Sequence, residues 1–159
     1  MPEFNDERQR ELDERYMRSA LELAGTALKQ GEVPVGAVIV AGGEIVASGF
    51  NSPLAAGDPT AHAEMLALRA AAAAVGNYRL TGATLYATLE PCVMCAGAIV
   101  HARIRRLVFG TRDLRFGGVR SKFRIADSEL LNHRVEVSEG VLAAECGEIL
   151  REFFAARRS

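Results

Sequence analysis

The sequence predicts an α/β fold in which a mixed five-stranded sheet lies between helices. Amphipathic helical stretches alternate along the chain with short apolar runs of strand length, in the order α-β-β-α-β-α-β-β-α. The 159 residues suit a single domain over 1–159. Hydrophobic residues at 49% and charged residues at 25% are typical of a soluble globular protein and argue against a disordered or fibrous one.

The first half of the chain is predicted to form a helix and a hairpin. Apolar side chains recur every four residues near the N-terminus, at Leu12, Tyr16, Ala20, Ala24 and Leu28. They predict a helix over residues 5–30 that ends at Gly31. The apolar run Gly36–Ala41 predicts a strand buried on both faces, and Gly42 and Gly43 then turn the chain into a second strand at Glu44–Phe50.

The second half alternates helices and strands. A loop over residues 51–60 contains two prolines and a glycine. The elements predicted after it are a helix over 62–75, a strand over 83–89, a helix over 91–102, a strand over 106–110, a strand over 134–137 and a helix over 141–156. Later strands of such sheets are usually parallel, and binding sites lie at the ends of strands and helices.

Charge is unevenly distributed along a chain whose net charge is only −1. Residues 1–32 hold eight acids against five bases, whereas residues 103–124 hold eight bases against one acid, Asp113. Such a basic stretch either creates a positive field for an anionic partner or forms a solvated loop.

Cysteine content and the N-terminal residues favour the cytoplasm. Three cysteines, an odd number, argue against a disulfide framework and suit metal-binding thiols in a reducing compartment. Residues 1–8 are acidic and polar, unlike a secretory signal. Apolar stretches are interrupted well short of the roughly 18–20 residues of a membrane span, so we expect no membrane association.

Two short segments combine metal ligands with an acid: His62-Ala63-Glu64 and Pro91-Cys92-Val93-Met94-Cys95. Each opens a predicted helix, and the two cysteines are three residues apart, so both sulfurs can reach one ion. One imidazole and two thiolates leave the fourth tetrahedral position of zinc for water, as in catalytic zinc sites. Glu64 at the first helical turn can then take a proton from that water and pass it to a substrate nitrogen. The residues therefore predict one Zn²⁺ per subunit and hydrolysis of a C–N bond.

These two segments also have other interpretations. A C-x-x-C pair also occurs in redox dithiols and in closed structural zinc sites. The redox interpretation leaves His62 and Glu64 unexplained, and a closed site needs a fourth ligand, for which His101, His133 and Cys146 are candidates. Cys146 lies on an apolar helix face, which favours a core position.

The order H-x-E followed by P-C-x-x-C is the signature of zinc-dependent nucleobase deaminases. Further segments resemble bacterial tRNA-specific adenosine deaminases: Val33–Ala37, Gly49–Asn51, Asp58–Glu64, Asn77–Leu80, Ala83–Tyr86, Thr88–Ala98, Val108–Gly110, Asn132–Val135 and Phe153–Phe154. The resemblance implies a cytidine-deaminase-like three-layer fold and a homodimer. It also implies hydrolysis of adenosine to inosine at the wobble position of a tRNA, in this family an arginine tRNA.

The resemblance further implies roles for individual residues. His62, Cys92 and Cys95 would bind zinc, and Glu64 would move the proton. Contacts with the tRNA anticodon loop would come from Asn51 and Pro53 at the target nucleotide, Asp113 at the ribose on its 5′ side, and Phe153, Phe154, Arg157 and Arg158 on the last helix. For Phe153, core packing is an equally good interpretation.

One segment departs from the family pattern. Relatives usually carry small residues after the position of Asp113, whereas this chain continues with the bulky, basic run Leu114–Phe123, part of a basic loop over 114–124. The run either strengthens RNA binding or indicates a related enzyme that acts on another aminated base. Two alternatives therefore stay open: a deaminase of a free nucleobase or nucleoside (guanine, cytosine or cytidine), and a non-enzymatic zinc-stabilised RNA-binding module.

Overall fold

The fold is described from a computed structural model, which defines the backbone of residues 2–158 and the side chains of residues 6–157. Over that part of the chain five strands and five helices follow one another: α1 (Pro2–Lys29), β1 (Gly36–Ala41), β2 (Glu44–Phe50), α2 (Pro53–Ala56), α3 (Ala63–Val75), β3 (Thr84–Leu89), α4 (Val93–His101), β4 (Arg106–Thr111), β5 (Glu136–Glu139) and α5 (Ala143–Arg158).

The strands form one mixed sheet in the order β2-β1-β3-β4-β5. Strand β1 is antiparallel to β2 and β3, whereas β3, β4 and β5 are mutually parallel. Side chains alternate across β1: Ile39 packs with the apolar faces of α3 and α4, while Val38 and Val40 pack with α1 and Cys146 of α5. Helices therefore cover both faces, and the predicted α/β fold with a five-stranded sheet is confirmed.

Most predicted elements are found within a few residues of their expected ends. Gly31 stops α1 with a positive φ of 77°. The predicted loop over 51–60 is wrong in one respect, because it contains the short helix α2. Strand β5 begins two residues later than predicted, because the Val135 amide bonds to Ala126 and pairing with β4 starts only at Glu136.

Acids from elsewhere in the chain neutralise much of the basic stretch 103–124. Four of its eight bases form ion pairs: Arg105–Glu136, Arg106–Asp13, Arg112–Glu139 and Arg120–Asp127. The Arg106 pair is buried, and the Asp13 carboxylate also accepts a hydrogen bond from the Tyr86 hydroxyl at 2.7 Å. The net positive field of this stretch is therefore smaller than its composition indicates. Among the helices of residues 2–158, none has the length and apolar character of a membrane span.

Candidate active site

The N-termini of α3 and α4 hold the predicted metal ligands. His62 immediately precedes α3 and Cys92 immediately precedes α4, each with extended backbone, and Cys95 lies in the first turn of α4. The start of α3 is fixed by Asn51, whose side-chain oxygen accepts a hydrogen bond from the Ala63 amide at 2.9 Å. Helix α4 begins at Val93, later than predicted, because the Cys92 backbone is extended.

The three ligand atoms have the spacing that tetrahedral zinc requires. His62 Nδ1 lies 3.6 Å from Cys92 Sγ and 3.5 Å from Cys95 Sγ, and all three atoms lie within 4.8 Å of one another. With bond lengths of about 2.0–2.1 Å to nitrogen and 2.3 Å to sulfur, a tetrahedral ion separates such atoms by about 3.6 Å. His62, Cys92 and Cys95 are therefore positioned to hold zinc.

One of the two cysteines is held as a thiolate, the form that binds a metal ion. The hydrogen bond between the cysteines lowers the pKa of Cys92 to about 4 and raises that of Cys95, so the pair keeps one negative charge, on Cys92. The hydrogen bond to Cys92 raises the pKa of His62. Zinc binds thiolates and displaces the remaining proton, and the partial positive charge of the α4 N-terminus stabilises them.

Within the described part of the chain, no fourth His, Cys, Asp or Glu side chain joins this set. Of the candidates for a closed site, Cys146 is fully buried against the sheet, as its apolar helix face predicts. The ring nitrogen Nε2 of His133 lies 2.8 Å from the Ile104 carbonyl oxygen. An open coordination position is what a catalytic zinc site needs.

Glu64 lines a cavity of about 820 Å³ together with the metal ligands His62 and Cys92. The Glu64 side chain is buried, and this burial raises its pKa to about 7. Cavities of this size take ligands as large as a nucleoside. The site thus combines a three-ligand metal centre and a buried carboxyl group in one accessible pocket.

The chain matches the family model for the cytidine and deoxycytidylate deaminase zinc-binding region over residues 10–111. It belongs to this deaminase family. The match spans both segments that carry the metal ligands and Glu64, so the domain is that of a zinc-dependent hydrolase.

Individual relatives agree with the family match. The deaminase is 53% identical over 149 residues to the tRNA-specific adenosine deaminase of Haemophilus influenzae. The aligned region covers 93% of this chain and 86% of that protein. A solved structure from a study of A-to-I editing by tRNA:A34 deaminases at the wobble position superposes with a TM-score of 0.83 and 44% identity, covering 86% of this chain and 99% of that one. A structure of guanine deaminase from Nitrosomonas europaea superposes with a TM-score of 0.79 and 27% identity. The superposition covers 89% of this chain and 84% of that one.

Three of the predicted substrate contacts, Asn51, Asp113 and Phe154, line the deaminase cavity. Asp113 opens a tight turn in which its Oδ1 accepts hydrogen bonds from the amides of Arg115 and Phe116. Leu114, Arg115 and Phe116 also line the cavity, and all three are exposed. The bulky, basic run that departs from the family pattern thus begins in the cavity wall.

Pro53, Phe153 and Arg157 are not among the residues that line the cavity. Pro53 begins α2 and is half-buried. Phe153 is only 6% exposed, which favours the core-packing interpretation over stacking on a nucleotide. The Arg157 guanidinium lies over the Phe153 ring at 4.3 Å and donates to the Gly31 carbonyl. The side chain of Arg158 lies outside the described residues.

Two buried carboxylates in this region were not predicted. Glu32 accepts hydrogen bonds from the amides of Leu54 and Ala55 and so caps α2. Glu90, two residues before Cys92, is 2% exposed. Burial raises the pKa of Glu90, but hydrogen bonds from Ser121 and neighbouring backbone amides outweigh that effect and hold it below its usual value. The only sequence signal was an acid between the apolar strand β3 and a proline.

Proposed function

We propose that this deaminase hydrolyses the amino group of adenosine at the wobble position of a tRNA, releasing ammonia and leaving inosine. The observation that carries the proposal is the single cavity lined by His62, Cys92 and Glu64, where a hydrolytic metal site and a proton-transfer group meet. The 53% identity to a tRNA-specific adenosine deaminase supports this choice of substrate.

The proposed chemistry needs one proton carrier and a bound nucleophile. Zinc, when bound, supplies the nucleophile by lowering the pKa of a water molecule to about 7. We assign the proton transfers to Glu64, which accepts the water proton and delivers it to a ring nitrogen of adenine. The regenerated Glu64 carboxylate then takes the second proton from the hydroxyl group now on the purine carbon and passes it to the departing amine as the C–N bond breaks, so that ammonia leaves.

Residues of the cavity wall orient the nucleotide in this proposal. Because Asn51 Oδ1 is engaged by the Ala63 amide, we assign its NH₂ group as the donor to the target base or ribose. Asp113 contacts the ribose on the 5′ side, and Phe154, which is 45% exposed, offers a ring face to the anticodon loop. Pro53 packs against the target nucleotide, and Arg157 and Arg158 help to hold the anticodon loop.

We propose in addition that residues 1–159 act as one domain, that the enzyme is a homodimer with one zinc ion per subunit, and that it works in the cytoplasm. The likeness to tRNA-specific adenosine deaminases over 93% of the chain supports these assignments. Light scattering coupled to size-exclusion chromatography tests the dimer, and a monomeric mass at micromolar concentration contradicts it.

The substrate is tested with RNA and free bases side by side. The zinc-loaded protein is incubated with an arginine tRNA anticodon stem-loop carrying adenosine at the wobble position. The matched control stem-loop carries guanosine there, and free adenosine, guanine, cytosine and cytidine complete the set. Inosine is measured after nuclease digestion, and ammonia is measured enzymatically.

We expect inosine and ammonia only with the adenosine stem-loop. Ammonia from free guanine, cytosine or cytidine, without inosine in RNA, overturns the tRNA proposal in favour of a free-base deaminase. RNA binding that weakens with salt but gives no product with any substrate indicates a non-enzymatic binding module.

A further inference from the structure

The proposed chemistry gives no role to Glu90, although this carboxylate is almost completely buried beside the metal ligands. It lies between the end of β3 and Cys92, and its amide donates to the Thr111 carbonyl at the end of β4. A buried carboxylate is costly unless hydrogen-bond donors surround it. The groups that donate hydrogen bonds to Glu90 therefore identify the segment that this carboxylate holds in place.

All its side-chain hydrogen bonds come from one loop, residues 113–121. Oε1 accepts from the Asp113 amide at 3.0 Å and from the Ser121 hydroxyl. Oε2 accepts from the amides of Val119, Arg120 and Ser121 at 3.1, 2.7 and 2.9 Å. Five donors from both ends of the loop converge on one carboxylate, so the loop is wrapped around it.

The same loop is docked on the segment that carries Cys92. The Gly118 amide donates to the Pro91 carbonyl at 2.8 Å, and Cys92 and Gly117 form an antiparallel bridge. A Cβ atom at Gly117 would overlap the Glu90 carboxylate, and one at Gly118 would lie 2.9 Å from the Cys92 backbone. Only glycine permits this approach, so loop and metal-ligand segment are packed at backbone contact.

The residues at the start of the loop form a wall of the active-site cavity. Asp113, Leu114, Arg115 and Phe116 all line it, and the Gly117 amide closes their turn on the Asp113 carbonyl at 2.9 Å. Leu114 and Phe116 are 73% and 66% exposed, so few side-chain contacts hold this wall. The hydrogen bonds to Glu90 and to the Pro91 carbonyl are therefore the main described contacts that connect this loop to the Cys92 segment.

We propose that Glu90 is a positioning residue: its carboxylate fixes loop 113–121 against the Cys92 segment and thereby sets the substrate-binding wall relative to the metal site. The substrate measurement below rests on the proposed function, whereas the hydrogen-exchange measurement does not. Glu90 neither touches the reacting atoms nor binds the metal in this proposal.

The test replaces Glu90 by Gln, which keeps the size of the side chain but turns an NH₂ group toward backbone donors. Glu129→Gln, in the exposed part of the same connection, is the matched control. Each protein is assayed for zinc content, for kcat and KM with the adenosine stem-loop, and for amide exchange of peptide 113–121 by mass spectrometry.

For Glu90→Gln we expect zinc content to stay at the wild-type value and kcat to change little. KM should rise about tenfold or more, because a misplaced wall weakens substrate binding. Exchange in 113–121 should accelerate about tenfold or more while exchange in α1 is unchanged. The Glu129→Gln control should match the wild type in every measurement.

Three results overturn the inference. Faster loop exchange with an unchanged KM means that the loop does not set substrate binding. Loss of zinc together with kcat means that Glu90 acts on the metal site. Unchanged exchange means that its hydrogen bonds do not hold the loop.

Two further measurements test the inference if Glu90→Gln does not fold or if the wild type makes no inosine. If Glu90→Gln does not fold, Ser121→Ala removes a single donor, and we expect a smaller KM rise in the same direction at unchanged zinc content; an unchanged KM refutes the proposal. If the wild type makes no inosine, the proposed function fails, and KM is compared for whichever base it deaminates. With no substrate at all, loop exchange alone decides.

Discussion

Replacing Glu64 by Gln tests the proposed proton carrier with the least disturbance to its surroundings. Glu64 is 4% exposed, so truncation to Ala would leave a cavity, whereas Gln keeps the volume and removes only the capacity to carry a proton. Glu64 is not one of the three metal ligands, although its carboxyl group forms a hydrogen bond with the Cys95 thiol. We therefore expect wild-type zinc content and a free energy of unfolding within about 1 kcal/mol of the wild type.

The expected loss of rate follows from the burial of Glu64 in the cavity lining. Because the side chain is buried, bulk water cannot readily replace it as a proton carrier. General acid–base groups contribute about 10²–10⁴ in rate, which at 1.36 kcal/mol per tenfold is about 2.7–5.4 kcal/mol of barrier. Since the proton moves only in the reaction, kcat and kcat/KM should fall together while KM stays nearly constant.

The assay measures inosine formation in the stem-loop under single-turnover conditions, with bound zinc measured on the same samples. The matched control is Glu148→Gln on the exposed side of α5, which should keep the wild-type rate. If Glu64→Gln keeps more than about a tenth of the wild-type rate with zinc bound, the assignment of both proton transfers to Glu64 is refuted. Loss of zinc in parallel with activity would instead mean that Glu64 supports the ligands.

Four further predictions concern stability, pH, metal and substrate. Asp13→Ala leaves Arg106 buried without its carboxylate and should lower the free energy of unfolding in urea by about 3–5 kcal/mol; a loss below about 1 kcal/mol contradicts a buried pair. Burial raises the pKa of Asp13, but hydrogen bonds from Arg106 and Tyr86 outweigh it and lower the pKa. The contribution of Asp13 should therefore be full above about pH 4 and disappear as pH falls through the folded pKa, so the urea curves of wild type and Asp13→Ala should converge in acid. Chelation should abolish deamination and lower the melting temperature, with both restored by Zn²⁺ alone, because the ion binds only the folded site; activity that survives complete zinc removal contradicts the assignment. Phe116→Ala should raise KM for the stem-loop about fivefold or more through lost base stacking, without changing the urea midpoint; an unchanged KM excludes a stacking role.

Sequence patterns predicted the features that depend on neighbours along the chain. The apolar run of β1 and the glycine stop of α1 were predicted correctly, and so was the location of both metal segments at helix N-termini. Helix α2 was missed because its four residues are too few for periodicity, and its amides are capped by Glu32, 22 positions away. The basic stretch looked more positive than it is, because its ion-pair partners Asp13, Glu136 and Glu139 are distant in sequence.

The residues of the site that were not predicted bind backbone amides. Because almost every residue has a backbone amide, such a partner cannot be recognised from the sequence. Glu32 holds α2 in this way and Glu90 holds loop 113–121, whereas the ligand set is visible because each ligand belongs to a short motif. The guanine deaminase of Nitrosomonas europaea and the tRNA:A34 deaminase structure superpose almost equally well on this chain, with TM-scores of 0.79 and 0.83, despite the different substrates named for them. A shared sheet and zinc-binding region therefore cannot specify the base, and the choice of substrate must lie in the loops above them. In this chain the exposed residues Leu114–Phe116 of loop 113–121 line the cavity, and the buried Glu90 carboxylate accepts hydrogen bonds from the same loop. Replacing Leu114–Phe116 by small residues should therefore change the selectivity among RNA substrates more than it changes the rate of the chemical step.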